Sequence, residues 1–262
     1  MTKHIRFSLD LTAEPTTPDG SEEVRYGVLD GETVYQTAQW SADRGTAFPL
    51  DEVRLLPPCW PSKIVCVGRN YREHAAELGN EVPAEPLIFL KPPSSLLAHG
   101  DAIVYPALSQ RVDYEGELGV VIGRRAHHVS REDADAYIFG FTCIDDVTAR
   151  DLQMKDGQWT RAKGFDTFCP VGPWIVPRDE VRLDEVVVRT LLDGRKKQEA
   201  SLRDMVFSVQ EIVAHASRVM TLEPGDLIAT GTPSGIGPMQ PGAVIEIVID
   251  GVGALRNLVV KP

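Results

Sequence analysis

The chain has 262 residues, 43% of them hydrophobic and 25% charged, with a formal net charge of −11 at pH 7. A chain of this size can bury a substantial core in one large domain, or in a large domain with a small appendage. The acidic balance and the lack of a concentrated basic stripe argue against a nucleic-acid partner, and no apolar run approaches the roughly 20 residues that span a bilayer.

The opening run MTKHIRFSLDLTAEP has no signal-peptide core, so a cytoplasmic location is expected. Four cysteines, Cys59, Cys66, Cys143 and Cys169, lie far apart with no CxxC pair. That pattern suggests neither a disulfide framework nor a zinc cluster, and Cys66 and Cys143 read as core filler.

In chain order, RYGVLDG and ETVYQTA read as strands of a hairpin turning at Asp30-Gly31. LLPPCWPSK at 55–63 breaks regular structure, which places a boundary between a small β domain, 1–58, and a main domain, 59–262. Strands dominate the main domain: KIVCVG, PLIFLK, AIVYP, the run 112–123, YIFGFTCI, WIVP, VVVRTLLDG, DLIATG and AVIEIVID. Helices are predicted over 71–79, 131–136, 147–154 and 208–220. Without a βαβα alternation, the prediction is a mixed, mostly antiparallel β-fold.

Within the strand 112–123, Glu115 and Glu117 stand at i and i+2 and share a face. Alternating acids can line a wet face, but a second acidic site, Asp145-Asp146, ends the equally apolar strand YIFGFTCI. A hard cation would offset such charge, and all-oxygen ligands suit Mg²⁺, Mn²⁺ or Ca²⁺ rather than zinc. Asp145 could instead cap the next helix, which makes Asp146 the better ligand candidate.

The segment 68–86 reads as a short helix started by Asn70 and stopped at Gly79, with a loop able to close over a site. His74 and Glu77 share one helix face, where a carboxylate would raise the basicity of the imidazole. Arg150 and Gln153 lie three apart on the helix after Asp146. Lys163, between Ala162 and Gly164, could approach a ligand closely. In LIATGTPSGIG, Thr232 and the backbone N–H groups could hold a carboxylate, although the phosphate-loop pattern is missing.

The strings KIVCVGRNYREH, IFLKP, DYEGELGVVIG, DDVTARDLQ, GQWTRAKGFDTFCPVGPWIV and PGDLIATGTPSGIG follow one another between residues 63 and 237. Together they resemble the fumarylacetoacetate hydrolase family, in its branch of acylpyruvases, oxaloacetate decarboxylases and diene-dioate isomerases. The resemblance implies a β-sandwich roll with few helices, Mg²⁺ or Mn²⁺ on Glu115, Glu117 and Asp146, and a lid pair His74–Glu77. It makes Lys163 catalytic, assigns substrate contacts to Arg150, Gln153 and Thr232, and implies a homodimer.

The activity so implied is metal-dependent C–C cleavage of a short 2-oxo acid through a stabilised enolate, by acylpyruvate hydrolysis or oxaloacetate decarboxylation. Isomerisation of 2-hydroxyhepta-2,4-diene-1,7-dioate is the rival enzyme reading, and metal binding without turnover the rival of another class. Nothing in the residues calls for a nicotinamide, flavin or haem.

Overall fold

The computed structural model describes residues 1–14 and 24–262. Alternating apolar positions on several strands build two sheets that pack face to face. In the larger sheet Gly116–Ile122 lies between Ile138–Asp145 and Leu227–Ala229, and beyond these come Cys169–Pro177 on one side, Ile64–Gly68 and Leu87–Lys91 on the other. The second sheet runs Arg195–Ser201, Val187–Leu192, Val244–Ile249, Gly253–Val260, Ala102–Val104. Leu118, Val120, Phe141 and Cys143 meet Val188, Ile245, Ile247 and Leu255 between the layers, a sandwich core from which water is excluded.

Strand pairings are mostly antiparallel, with parallel exceptions at Leu227–Ala229 against Ile64–Gly68, Gly253–Val260 against Ala102–Val104, and Cys169–Pro177 against Leu96–Leu97. This is the mixed, mostly β architecture that the sequence predicts. All four cysteines are buried thiols outside any disulfide. Among the described residues no helix is long and apolar enough to cross a membrane.

The N-terminal strands continue the larger sheet. His4–Ser8 pairs with Arg25–Asp30 and Arg54–Leu56, and meets Cys169–Pro177 at His4↔Ile175. Trp40 stacks on Phe139 at 4.5 Å, and His4 meets the same ring edge-on at 5.1 Å. Part of the predicted small domain, residues 15–23, lies outside the described residues. The predicted hairpin forms, but Asp30 pairs with Thr33, so the two-residue loop is Gly31-Glu32 rather than Asp30-Gly31, with Gly31 at φ 59°.

Several helix predictions shift for identifiable reasons. The helix predicted at 147–154 is Arg150–Asp156, because Thr148 and Ala149 first pair with Asp113 and Val112. The stretch 131–136 forms turns and the 3-10 helix Ala134–Tyr137 instead of an α-helix. Val209–Val219 forms as expected, closed at its start by a reciprocal Ser208–Glu211 capping box. The helical turn Thr160–Lys163 and the strands Arg195–Ser201 and Gly253–Val260 were not anticipated.

Candidate active site

The predicted continuous strand 112–123 is broken at Glu115. Val112–Tyr114 pairs with Thr148–Ala149 and Gly237–Pro238, whereas Gly116–Ile122 enters the large sheet, so Glu115 occupies the junction between two ladders. Its backbone is still held: the Glu115 carbonyl accepts from Asp146 N–H at 2.9 Å, and its N–H donates to Asp145 Oδ1 at 2.7 Å. Asp145 therefore holds the turn at Glu115 and does not cap the helix, whose N-cap is Ala149. Gly116 allows the sheets to approach, since a Cβ there would lie 2.2 Å from Thr190 Oγ1 and 2.9 Å from Ile247.

Carboxylate oxygens of Glu115, Glu117 and Asp146 lie within 4.8 Å of one another, and all three residues are buried. Lys163 Nζ donates to Glu115 Oε2 at 2.8 Å and to Asp146 Oδ2 at 2.7 Å. Lys91 Nζ donates to Asp146 Oδ1 at 2.6 Å and to the Val147 carbonyl at 3.2 Å. Arg150 donates to Glu115, to Asp113 Oδ2 at 3.0 Å and to Gln153 Oε1 at 2.6 Å. Glu117 is different: it accepts one N–H, from Gly231 at 2.7 Å, and no cationic side chain binds it among the described residues.

These contacts divide the acids electrostatically. Burial opposes ionisation of Glu115, but the Lys163 and Arg150 cations outweigh it and hold the group well below the usual carboxylate range. Burial drives Glu117 far upward, reinforced by Asp146 and Glu115. Asp145 is pushed up to about 7, chiefly by burial against the stabilising Glu115 N–H. A divalent cation would supply the charge that Glu117 lacks, so the donor set fits an oxygen-ligated metal.

The helix beside the site is Arg72–Glu77, with Tyr71 at its N-cap. Asn70 does not start it: its amide donates to the Phe207 and Thr230 carbonyls at 3.1 and 2.7 Å and accepts from Phe207 N–H at 2.8 Å. His74 Nδ1 faces Glu77 Oε2 at 3.4 Å. Glu77 also accepts from Gly235 N–H at 3.1 Å, tying the helix to the glycine-rich loop. The His74 pKa is lowered chiefly by burial, which outweighs Glu115 and Glu77, so the imidazole is neutral at pH 7. Thr232 Oγ1 donates to the Gly116 carbonyl at 3.0 Å and accepts from Gln198 Nε2 at 2.8 Å.

A cavity of about 300 Å³ unites these groups. It is lined by His74, Glu115, Glu117, Asp146, Arg150, Gln153, Lys163 and Thr232, with Glu77 behind His74. Val67, Leu78, Phe89, Met154 and Trp159 form its apolar wall. Sequence reasoning placed Asp113 only among alternating acids that can line a wet face, and it did not single out Lys91, Gln198 or Arg69. A lysine inside the apolar run LIFLK was the available signal for Lys91; no sequence signal distinguished the others.

Fold and site together define an enzyme built on a β-sandwich with a buried acidic triad. Residues 63–260 match the family described as fumarylacetoacetate (FAA) hydrolase, C-terminal, and residues 19–58 match that described as Rv2993c-like, N-terminal. The chain belongs to the fumarylacetoacetate hydrolase family.

Oxaloacetate tautomerase YisK of Bacillus subtilis is 43% identical over 223 residues, spanning 80% of this chain and 74% of that protein. Mitochondrial oxaloacetate decarboxylase of Dictyostelium discoideum is 46% identical over 196 residues, spanning 72% of this chain and 89% of that protein. The crystal structure of 2-hydroxyhepta-2,4-diene-1,7-dioate isomerase from Mycobacterium marinum superimposes with a TM-score of 0.86 at 40% identity, over 100% of this chain and 99% of that one. Fumarylpyruvate hydrolase from Pseudomonas aeruginosa, solved with Mn²⁺ and pyruvate, gives 0.74 at 32% identity, over 84% of this chain and 94% of that one.

Proposed function

We propose that the chain catalyses divalent-metal-dependent C–C cleavage of a short 2-oxo acid, by oxaloacetate decarboxylation or acylpyruvate hydrolysis. The observation that carries this reading is the convergence of three carboxylates, within 4.8 Å of one another, on a cavity shared with His74, Arg150 and Lys163. Glu115, Glu117 and Asp146 would hold Mg²⁺ or Mn²⁺, which when bound supplies Lewis-acid polarisation of the 2-keto group. The reading extends to a homodimer, on the strength of the sequence resemblance, and to a cytoplasmic location, on the sequence pattern of the opening residues.

The side chains supply the rest. An ammonium has three N–H groups, and two of those on Lys163 serve Glu115 and Asp146, leaving the third for a substrate oxygen. Asp113 and Gln153 fix the Arg150 guanidinium from two sides, so its charge is in place before substrate arrives. A carboxylate at Nδ1 favours the tautomer that carries its proton there, and the free Nε2 is then the base.

For an acylpyruvate, His74 would take a proton from a water attacking the distal carbonyl. The C–C bond then breaks, its electron pair stays with the pyruvate fragment, and that fragment regains the proton from His74. For oxaloacetate no nucleophile is required: carbon dioxide leaves, and the carbon left behind is protonated.

Isomerisation is the second reading, favoured by the full-length likeness to the diene-dioate isomerase structure. Ultraviolet depletion of oxaloacetate, acetylpyruvate and 2-hydroxyhepta-2,4-diene-1,7-dioate, each with Mg²⁺, Mn²⁺ or excess EDTA, separates the two. Pyruvate formation from either of the first two, abolished by EDTA, supports cleavage. Conversion of the third alone, without pyruvate, assigns isomerisation, and metal-induced thermal stabilisation without any turnover leaves only metal binding.

A further inference from the structure

The strand Ile64–Gly68 ends at the cavity, and the residues at its end are fixed independently. A Cβ on Gly68 would come 2.9 Å from the Trp159 ring, so glycine admits that wall. Asn70 is fully buried and pinned by its three hydrogen bonds to Phe207 and Thr230. Between them Arg69 has φ 59°, a left-handed conformation unfavourable for a residue with a side chain and retained only where the surroundings impose it. The outcome is a half-buried arginine lining the cavity.

Arg69 differs from the other cations of that lining. Arg150 is matched by Asp113 and Glu115, and Lys163 by Glu115 and Asp146. Arg69 has neither a hydrogen bond nor an ion pair among the described residues, although three carboxylates line the same cavity. Lining carboxylates and lining cations are equal in number, three of each. A divalent cation would therefore leave the cavity with two positive charges, which a dianion neutralises and a monoanion does not. The wall contributed by Val67, Phe89 and Met154 offers a distal carboxylate no hydrogen bond, whereas a guanidinium fork receives one through two parallel N–H groups.

We propose that Arg69 determines specificity by binding the distal carboxylate of a 2-oxo dicarboxylate. The inference rests on the reading above in one respect: the other end of the ligand is the 2-oxo acid held at the carboxylate cluster.

The test uses inert ligands matched in carbon chain: 2-oxoglutarate against 2-oxopentanoate, and 2-oxoadipate against 2-oxohexanoate. Affinities are measured by calorimetry on the Mn²⁺-loaded full chain. Wild type binds the dicarboxylate of at least one pair about tenfold more tightly or better. Arg69→Gln removes that preference by weakening the dicarboxylates alone, and Arg69→Lys retains part of it. Arg69→Gly suits the left-handed backbone, and it loses the preference while keeping the Mn²⁺-induced rise in melting temperature.

Equal affinity of wild type for both members of each pair overturns the proposal and leaves the 2-oxo acid reading intact. An undiminished preference in Arg69→Gln overturns it equally. Failure of wild type to bind any of the four removes the 2-oxo acid reading, and the role of Arg69 with it.

Discussion

Lys91 and Asp146 form an ion pair, 2.6 Å from Nζ to Oδ1, in which both side chains are essentially excluded from solvent. The lysine ends the strand Leu87–Lys91 and also donates to the Val147 carbonyl, so it fixes the aspartate and the chain that follows it. Removing Lys91 leaves the buried Asp146 carboxylate with Lys163 as its remaining cationic partner, so part of its charge goes uncompensated. Lys91→Met is expected to destabilise the metal-free protein by less than the roughly 3–5 kcal/mol of a fully stranded buried charge, with partial recovery in Mn²⁺. Urea unfolding in EDTA and in Mn²⁺ measures both; equal stability of mutant and wild type in EDTA contradicts this account.

Glu117 gives the opposite result. Its burial without a cationic partner is unfavourable when no metal is present, so Glu117→Gln should leave the melting temperature in EDTA unchanged or higher. The stabilisation by Mn²⁺ should largely disappear, a loss approaching 3 kcal/mol where wild type is measured at about 100 times its Kd. A mutant that gains as much as wild type from Mn²⁺ removes Glu117 from the ligand set.

Gly116→Ala tests the close approach of the two sheets. Its Cβ would meet Thr190 Oγ1 at 2.2 Å, and overpacking of this kind costs about 1–3 kcal/mol. Adding Thr190→Ala should restore part of the loss, leaving the Ile247 contact as the remainder. Additive effects in a double-mutant cycle would show that the two positions do not clash.

Two histidines outside the cavity should each cost stability when they are protonated in acid. Burial lowers the pKa of His4 and of His99, and His99 Nδ1 accepts a hydrogen bond from Arg256 N–H at 3.1 Å, which protonation would break. The unfolded chain protonates these groups near 6.5 and the folded chain only at lower pH. Their stabilising effect is therefore complete above 6.5 and lost as pH falls from 6.5 toward the depressed folded values. Asp145 and Glu117, whose folded pKa values are raised, gain stability over the same range, so the histidine contribution is read as a difference: between pH 7 and 5 His4→Gln should lose less stability, or gain more, than wild type. A change equal to that of wild type assigns the pH dependence to other groups.

The ligand candidates were legible because a strand's two-residue period and the end of a second apolar strand are local features. The break at Glu115 was not, since the two-residue alternation of 112–117 runs across it into the apolar stretch 118–122, and only pairing with Thr148–Ala149 on one side and Asp145 on the other interrupts the ladder. Asn70 looked like a helix start by local rules, but its partners stand 137 and 160 residues away. Arg195–Ser201 was missed because an edge strand can be charged along most of its length; Gln198 is its one buried residue. That same glutamine reaches Gly116 N–H and Thr232, so part of the site's support was hidden in a run that reads as solvent-facing.

The grip of Trp40 and His4 on Phe139 has a mechanical reading. Phe139 lies near the start of the eight-residue strand Ile138–Asp145, and the far end of that strand delivers Asp145 and Asp146. At about 3.3 Å per residue the strand acts as a stiff rod some 20–25 Å long, clamped at one end by the N-terminal segment and bearing acidic side chains at the other. Because ladders to Gly116–Ile122 and Cys169–Pro177 hold the rod along both edges, Trp40→Ala would loosen only the clamped end and leave the carboxylates aligned by the sheet itself.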